Sequence, residues 1–187
     1  DFLKLFIFLR DLYEKQGIKV EIEFKLIEDF FKKRIEVLFS DLNFDTSTIL
    51  ASLKNSSMNP YLISEKIKCL SKFISSKVGA SFLKAYKRLD SMIDGNHDDK
   101  IEVKLFQMNE EEILYKLIIE FEQEESKSKN IIKDTEFAKK ITLSLNRFFD
   151  SVMVNDKNIK IKNNRKTLIS DFYKRLNDEI EFSLLIK

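Results

Sequence analysis

The sequence predicts an all-α fold, a helical bundle of about seven to nine helices. The chain of 187 residues contains only three glycines and one proline, too few for a sheet connected by many tight turns. Apolar residues recur instead at intervals of three and four, the spacing of one helix face. Only the segment from Ile101 to Phe106 has a pattern compatible with an extended conformation. We therefore expect helices along most of the chain, without internal repeats.

The first predicted helix covers residues 2–16 and carries apolar side chains on all sides. Such a helix is usually buried, so we expect neighbours around it and an end near Gly17. The second predicted helix begins near Phe24, is amphipathic, and ends at the turn Asp41-Leu42-Asn43. Asp45 then stands where its side chain can cap a short third helix.

The fourth predicted helix has the clearest start, because Asn59 is a favoured N-cap and Pro60 is a favoured first residue. Gly79 is expected to break or bend the chain before the next apolar stripe, which includes Phe82. The segment Asp94-Gly95-Asn96-His97-Asp98-Asp99 follows this stripe and is the clearest loop of the sequence.

Three further signals place the remaining helices. Asn109 and Glu112 have the N-cap-to-N3 spacing of a capping box. The charged and serine-rich stretch 122–128 is expected to be a loop or a frayed helix end. Asp134 is expected to cap a long helix, and a last helix is predicted over about residues 160–177.

Charge is distributed unevenly, although the net charge is only +2. Residues 60–93 carry seven basic and two acidic side chains, residues 94–125 carry three and eleven, and residues 126–187 carry fourteen and eight. Two basic blocks thus flank an acidic one, as expected if some faces meet phosphate and another faces solvent. Ordinary solvated helix faces explain the same pattern.

The sequence lacks the residues of a catalytic site. The single histidine, His97, lies in an aspartate-rich loop without the three or four ligands of a zinc site or the spacing of a calcium loop. Gly17, Gly79 and Gly95 are too dispersed to form a phosphate-binding loop. Cys69 lies on the apolar side of a helix and is expected to be a packed thiol. We therefore expect no catalytic residue and no metal ligand.

Other features bear on the compartment. A single cysteine excludes a disulfide within the chain, and no apolar run approaches the roughly 18 residues of a membrane span. The chain begins at Asp1 without a signal-peptide pattern. We therefore expect a soluble, cytoplasmic piece of a longer polypeptide, with no membrane partner.

Basic residues on one helix face are the first candidate for binding. Lys84, Lys87 and Arg88 have the three-to-four spacing that places side chains on one face, while Phe82 and Tyr86 turn inward. Such a face suits a phosphate backbone. A solvated face is the alternative.

The end of the chain carries the most specific pattern. Residues 148–154 read Phe-Phe-Asp-Ser-Val-Met-Val, Asn164-Arg165 follow a polar turn, and residues 181–185 read Glu-Phe-Ser-Leu-Leu. This pattern resembles the C-terminal signature of the bacterial glycyl-tRNA synthetase beta subunit. Proline often precedes the aromatic pair in that family, whereas this chain has Leu145-Asn146-Arg147.

Two earlier segments extend the resemblance over about residues 24–187. Residues 85–90 read Ala-Tyr-Lys-Arg-Leu-Asp, and residues 29–38 contain Arg34 at the arginine of the family's helix. Residues 1–23 resemble only the end of a preceding helical region. The expected division is therefore a helical anticodon-binding domain at 24–187 after that region.

The resemblance implies a helical bundle of the anticodon-binding (DALR) type that binds tRNA(Gly). It also implies an α2β2 heterotetramer whose alpha subunit holds the class II catalytic site for glycine and ATP, so that this fragment is non-catalytic and needs no cofactor. Phe148, Phe149, Val152 and Val154 are expected to pack the last helices, and Asp150 and Arg165 to form an ion pair or cap.

The candidate RNA-binding residues are basic side chains in the segments named above: Lys32, Lys33, Arg34, Lys84, Lys87, Arg88, Arg147, Lys160, Lys162, Arg165 and Lys166. Two alternatives stay open. One is a helical protein-interaction module that docks through the acidic middle segment. The other is an anticodon-binding domain of a different synthetase, which the Phe-Phe-Asp-x-Val-Met-Val run makes less fitting.

Overall fold

The computed structural model describes residues 2–21, 23–56, 58–95, 100–123 and 130–186. Within these ranges the chain forms eight α-helices, two short 3-10 turns and no strand, which confirms the predicted all-α fold. The helices are α1 (Phe2–Lys15), α2 (Phe24–Asp41), α3 (Thr46–Leu53), α4 (Pro60–Ile74), α5 (Lys77–Asp90), α6 (Asn109–Gln123), α7 (Thr135–Ser151) and α8 (Ile159–Leu176).

Three helix starts form as the sequence predicts. Asp45, Asn59 and Asp134 each have extended backbone, and each side chain accepts a hydrogen bond from a backbone N–H in the first turn of the helix that follows. Pro60 occupies the first turn of α4. Each such cap stabilises its helix by about 1 kcal/mol, so local chemistry fixes where α3, α4 and α7 begin.

The predicted break at Gly79 is wrong. The chain turns before it, between Ile74 and Lys77, and Gly79 lies inside α5, where its N–H donates to the N-cap Oγ of Ser76 at 3.0 Å. A Cβ at this position would lie 2.0 Å from the carbonyl oxygen of Phe73. Gly79 is therefore required for the close approach of α5 to the end of α4, and not for flexibility.

The predicted capping box of α6 is shifted by one residue. Glu111, not Glu112, folds back, and its Oε2 accepts from the backbone N–H groups of Gln107 and Met108, both at 2.9 Å. Glu112 lies 3.7 Å from Lys116 one turn later. The capping box therefore lacks the N-cap Ser or Thr hydrogen bond. Glu111 alone accepts from the backbone N–H groups before the helix.

The segment expected to be extended forms a 3-10 turn, Val103–Leu105, because a side chain holds the backbone beside it. The Asn164 amide on α8 accepts from Glu102 N–H at 2.8 Å and donates to Glu102 C=O at 3.1 Å. The Asn164 side chain thus makes the two backbone hydrogen bonds that a neighbouring strand would make in a sheet. Of the predicted loops, residues 96–99 and 124–128 lie outside the described residues.

The main hydrophobic core lies between α4, α5, α6, α7, α8 and the C-terminal segment. Its largest fully buried side chains include Phe82, Tyr86, Phe148, Phe172 and Phe182. Phe182, from the 3-10 turn Phe182–Leu185, enters this core edge-on to Phe82, with the ring centroids 5.0 Å apart. The C-terminal segment is therefore part of the core.

A smaller core lies between α2, α3 and α4 and includes Phe31, Ile35, Ile49 and Ile67. The two cores meet at α3, because Ala51 of α3 belongs to the main core. The Ala51 backbone oxygen also accepts a hydrogen bond from the Glu181 N–H of the C-terminal segment at 3.1 Å. The helices thus surround two adjacent cores that share α3 and α4.

The first helix forms as predicted, but the expectation that it is buried is wrong. None of the described side chains of α1 is buried, and Phe8 is 58% exposed. Phe2 meets Phe31 edge-on at 5.3 Å, and Phe6 packs on the smaller core. Apolarity on all sides indicates what a helix can bury, but not which neighbour covers it. In the described part of the chain, no helix combines the length and apolarity needed to cross a membrane.

Candidate nucleic-acid interface

The C-terminal ends of α5 and α7 meet at a contact between two signature segments. Arg88 of α5 donates from Nη2 to Asp150 Oδ1 of α7 at 2.9 Å, and its guanidinium lies 5.3 Å from the Phe149 ring centroid. Phe149 in turn meets Phe148 edge-on at 5.4 Å. The predicted pair between Asp150 and Arg165 is therefore wrong, because Asp150 binds Arg88.

This contact brings basic residues of two helices to one surface. Lys84 precedes Arg88 by one turn on α5, Arg147 precedes Asp150 by one turn on α7, and residues at this spacing share a helix face. The side chains of Lys84, Lys87 and Arg147 are all exposed. We call Lys84, Lys87, Arg88 and Arg147 the α5–α7 basic surface.

Arg165 has a different environment from the other candidates. Its side chain is 3% exposed, and all five guanidinium N–H groups have acceptors. Nε and Nη2 donate to the two carboxylate oxygens of Glu111 at 3.0 and 3.3 Å, and the remaining donors reach Met153 C=O, Asp156 and Gln107 at 3.0 to 3.2 Å. Arg165 therefore has no donor left for an RNA loop and instead holds protein segments together.

The segments that Arg165 holds include the Val-Met-Val run of the signature. Its bond to the Met153 carbonyl fixes the run against α8, and its pair with Glu111 fixes the start of α6 at the same place. Val152 and Val154 are buried, as predicted for packing residues, whereas Met153 between them is 63% exposed.

A cleft opens beside this run. We call it the Phe149 cleft; it has a volume of about 270 Å3. Phe149 is half-buried and forms one side, so the prediction that it only packs the core is incomplete. The complete lining is Arg88, Ser91, Met92, Phe149, Val152, Met153, Val154 and Asn155.

A second concavity, which we call the lysine trough, lies beside α8. It has a volume of about 880 Å3, and its lining includes Lys100, Lys104 and the predicted Lys160. The Lys104 ammonium, 2.9 Å from Glu102, lowers the pKa of that carboxyl, and the pKa of Lys104 is raised by the same hydrogen bond. Both groups thus stay charged near neutral pH.

No family model matches the chain. Comparison with curated proteins gives several matches to one kind of protein. The chain is 30% identical over 167 residues to the glycine-tRNA ligase beta subunit of Rickettsia bellii, covering 86% of this chain and 24% of that protein. It is 27% identical to the beta subunit of Thermodesulfovibrio yellowstonii (85% and 24% covered) and 27% identical to that of Buchnera aphidicola (93% and 26%). The chain is homologous to the glycine-tRNA ligase beta subunit. It spans about a quarter of the length of the curated relatives it matches.

The remaining candidates of this beta-subunit homologue lie in other environments. Lys166 on α8 binds the Asp94 carboxylate, and Lys162 is half-buried one turn earlier. On α2, which packs on α3, Lys32 pairs with Glu28 at 2.6 Å, whereas Lys33 is exposed and the Arg34 guanidinium lies 5.1 Å from the Phe30 ring centroid. The sequence-based set therefore falls on three surfaces and one buried position.

Sequence reasoning missed several residues in and around the candidate site of the beta-subunit homologue. Lys100 and Lys104 lie in a segment for which the sequence predicted no function. Glu111 is adjacent to Glu112, the residue predicted to cap α6. Met153 had a usable signal, because neighbours in an extended run point to opposite sides, so burial of Val152 and Val154 predicts an outward Met153. Within the described ranges no group of three or more metal-ligating residues occurs, and the predicted loop residue His97 lies outside them.

Proposed function

We propose that this chain is the anticodon-binding part of a glycine-tRNA ligase beta subunit. The observation that carries the proposal is similarity to curated beta subunits along 78 to 97% of the chain. Residues 24–187 are proposed as the C-terminal RNA-binding unit. Residues 1–23 are proposed as the end of an adjoining helical region, since α1 buries none of its described side chains.

The surface chemistry supports RNA as the ligand. Proteins that read RNA sequence bind unstacked loop bases on aromatic or guanidinium planes and hold the backbone with cations. The α5–α7 basic surface supplies exposed cations, and the Phe149 cleft beside it supplies an aromatic ring and a guanidinium. An anticodon loop offers both phosphates and unstacked bases.

Further candidate residues have supporting roles in this proposal. Lys160, Lys162 and Lys166 lie on α8, with Lys160 in the lysine trough, and Lys32, Lys33 and Arg34 lie on α2. Arg165 positions the Val-Met-Val run and does not touch RNA.

The proposal also covers the assembly. The fragment itself is non-catalytic and cofactor-free, and it raises the affinity of the whole class II ligase for tRNA(Gly). Glycine and ATP react on the alpha subunit of an α2β2 enzyme, in the cytoplasm. What supports this part is that the similar proteins are glycine-tRNA ligase beta subunits.

A titration with the fluorescently labelled anticodon stem-loop of tRNA(Gly) tests the proposal. The control RNA is the same stem-loop with its second and third anticodon bases changed to other bases. We expect tighter binding to the native loop, by about tenfold or more, since a wrong base that loses its base-edge hydrogen bonds costs about 1–3 kcal/mol. Equal, salt-sensitive binding of both RNAs would indicate a nonspecific RNA clamp, and no binding at low salt would reject the proposal.

A second candidate function is a protein-interaction module without RNA specificity. The observation that favours it is the exposed apolar surface of α1, where Leu5 and Phe8 are each about half exposed. The acidic middle segment offers less, because Glu111 is buried against Arg165 and Glu120 binds Lys140 at 2.6 Å. Binding to the alpha subunit by a chain that ignores the stem-loop would favour this candidate.

A further inference from the structure

The size of the Phe149 cleft limits what it can hold. Its volume of about 270 Å3 is below the roughly 300–1,000 Å3 of pockets for drug-sized ligands. Its lining is largely apolar, with Val152 and Val154 buried and Phe149 half-buried among the side chains that form it. Such a space suits one flat ring.

The Phe149 cleft also offers the two kinds of plane on which bases stack. The Phe149 ring is one, and the Arg88 guanidinium, which lies over this ring at 5.3 Å from its centroid, is the other. Asp150 holds the guanidinium through one hydrogen bond at 2.9 Å. Among the described residues, this is the only hydrogen bond of the Arg88 side chain. Because the side chain is 45% exposed, its other N–H groups stay accessible to a ligand.

The remaining walls combine adaptability with a polar rim. Met92 and Met153 are 41% and 63% exposed, and their flexible thioethers adjust to a flat apolar ligand. Asn155 has an exposed side chain at the rim, and its amide carries both a donor and an acceptor. The backbone of Met153 is nevertheless fixed, because its carbonyl accepts from buried Arg165.

The surroundings of the cleft distinguish a nucleic acid from other partners with flat rings. The α5–α7 basic surface beside the cleft includes the exposed side chains of Lys84, Lys87 and Arg147. These cations would repel a cationic peptide and attract the phosphates of a nucleic acid. We infer that the Phe149 cleft takes one unstacked base of the bound RNA, packed against the Arg88 guanidinium and the Phe149 ring that it covers. This inference rests on the proposed function and adds the subsite.

The experiment is an abasic scan of the tRNA(Gly) anticodon stem-loop, with each loop base removed in turn. We compare the parent chain with Phe149→Leu, which keeps an apolar side chain but removes the ring, and with Met92→Ala/Met153→Ala, which changes two exposed side chains. Met108→Ala is the matched control, because Met108 is 40% exposed and lies outside the cleft. Thermal melts establish that each variant is folded.

We expect removal of one particular loop base to weaken binding to the parent and to Met108→Ala by about tenfold, a value typical of one stacked base. The two cleft variants should bind the intact loop about tenfold more weakly and show no further loss at that position. If the cleft variants instead bind and respond like Met108→Ala, the subsite is wrong while RNA binding stands. If the parent does not bind the stem-loop, the proposed function fails first.

Discussion

At the scale of single residues, burial separates two arginines of the signature segments. Arg88 and Asp150 have side chains that are 45% and 67% exposed, whereas Arg165 and Glu111 are 3% and 0% exposed. Exposed pairs contribute about 0–1 kcal/mol to stability. Removing one partner of a buried pair costs about 3–5 kcal/mol, because the other charge is left buried. The two arginines should therefore respond very differently to substitution.

We predict that Arg165→Met lowers the free energy of unfolding by about 3–5 kcal/mol. The substitution leaves the Glu111 carboxylate buried with only two backbone N–H partners, those of Gln107 and Met108. Chemical denaturation monitored by circular dichroism measures the change. Asp150→Asn, which removes the exposed partner of Arg88, is the control and should cost no more than about 1 kcal/mol.

A double variant tests whether the lost stability comes from the orphaned carboxylate. Arg165→Met/Glu111→Leu removes both charges and should be more stable than Arg165→Met alone, since apolar replacement of a buried pair is often tolerated. An Arg165→Met protein within about 1 kcal/mol of the parent would show that the pair does not hold the α6 start and the Val-Met-Val run together.

At the scale of the elements, replacing Gly79 by alanine has two opposing effects on stability. In a helix, replacing glycine by alanine favours folding by about 1 kcal/mol. Here the new Cβ would lie 2.0 Å from the Phe73 carbonyl oxygen and 2.6 Å from its carbon. These are backbone atoms, so the clash is relieved only by moving α4 away from α5.

We therefore predict that Gly79→Ala destabilises the protein by about 1–3 kcal/mol, the usual cost of overpacking. Ala80→Gly is the matched control one residue later, where the side chain is exposed and only helix propensity is lost, about 1 kcal/mol. Thermal melts of the two variants measure both effects. A Gly79→Ala protein more stable than the parent would mean that the helices separate at little cost.

The helix starts also indicate how far the sequence predicts the fold. The caps at Asp45, Asn59 and Asp134 were predictable because the acceptor and its N–H donors lie within three residues. Burial of α1 was not, since its contacts depend on distant elements. The role of Gly79 and the Arg165–Glu111 pair, 54 positions apart, likewise require the packing of whole helices to be known.

At the scale of the whole molecule, the candidate site follows from how the helices are arranged. The basic residues of α5 and α7 were predicted one segment at a time, and the arrangement joins them because the C-terminal ends of these helices meet at Arg88 and Asp150. The Phe149 cleft could not be predicted, because its walls come from residues 88–92 and 149–155. A surface of this size should act on RNA as a unit, through its summed charge.

Salt dependence tests that unit. Each phosphate contact contributes a slope of about −0.7 to −0.9 in a plot of log affinity against log salt. We predict that Lys84→Gln/Lys87→Gln weakens binding of the anticodon stem-loop at low salt and makes the slope shallower by about 1.5. Both lysines are exposed, so the fold should be unaffected.

The control for this experiment removes the same charge elsewhere. Lys68→Gln/Lys116→Gln also lowers the net charge by two, but these lysines pair with Glu65 on α4 and Glu112 on α6, outside α5 and α7. If long-range attraction alone governs binding, both double variants should change the affinity equally and leave similar slopes. A shallower slope for Lys84→Gln/Lys87→Gln alone requires that these two side chains displace counterions from RNA phosphates. Equal slopes for the parent and both variants would place the RNA on another surface, and the basic residues of α2, Lys32, Lys33 and Arg34, would be tested next.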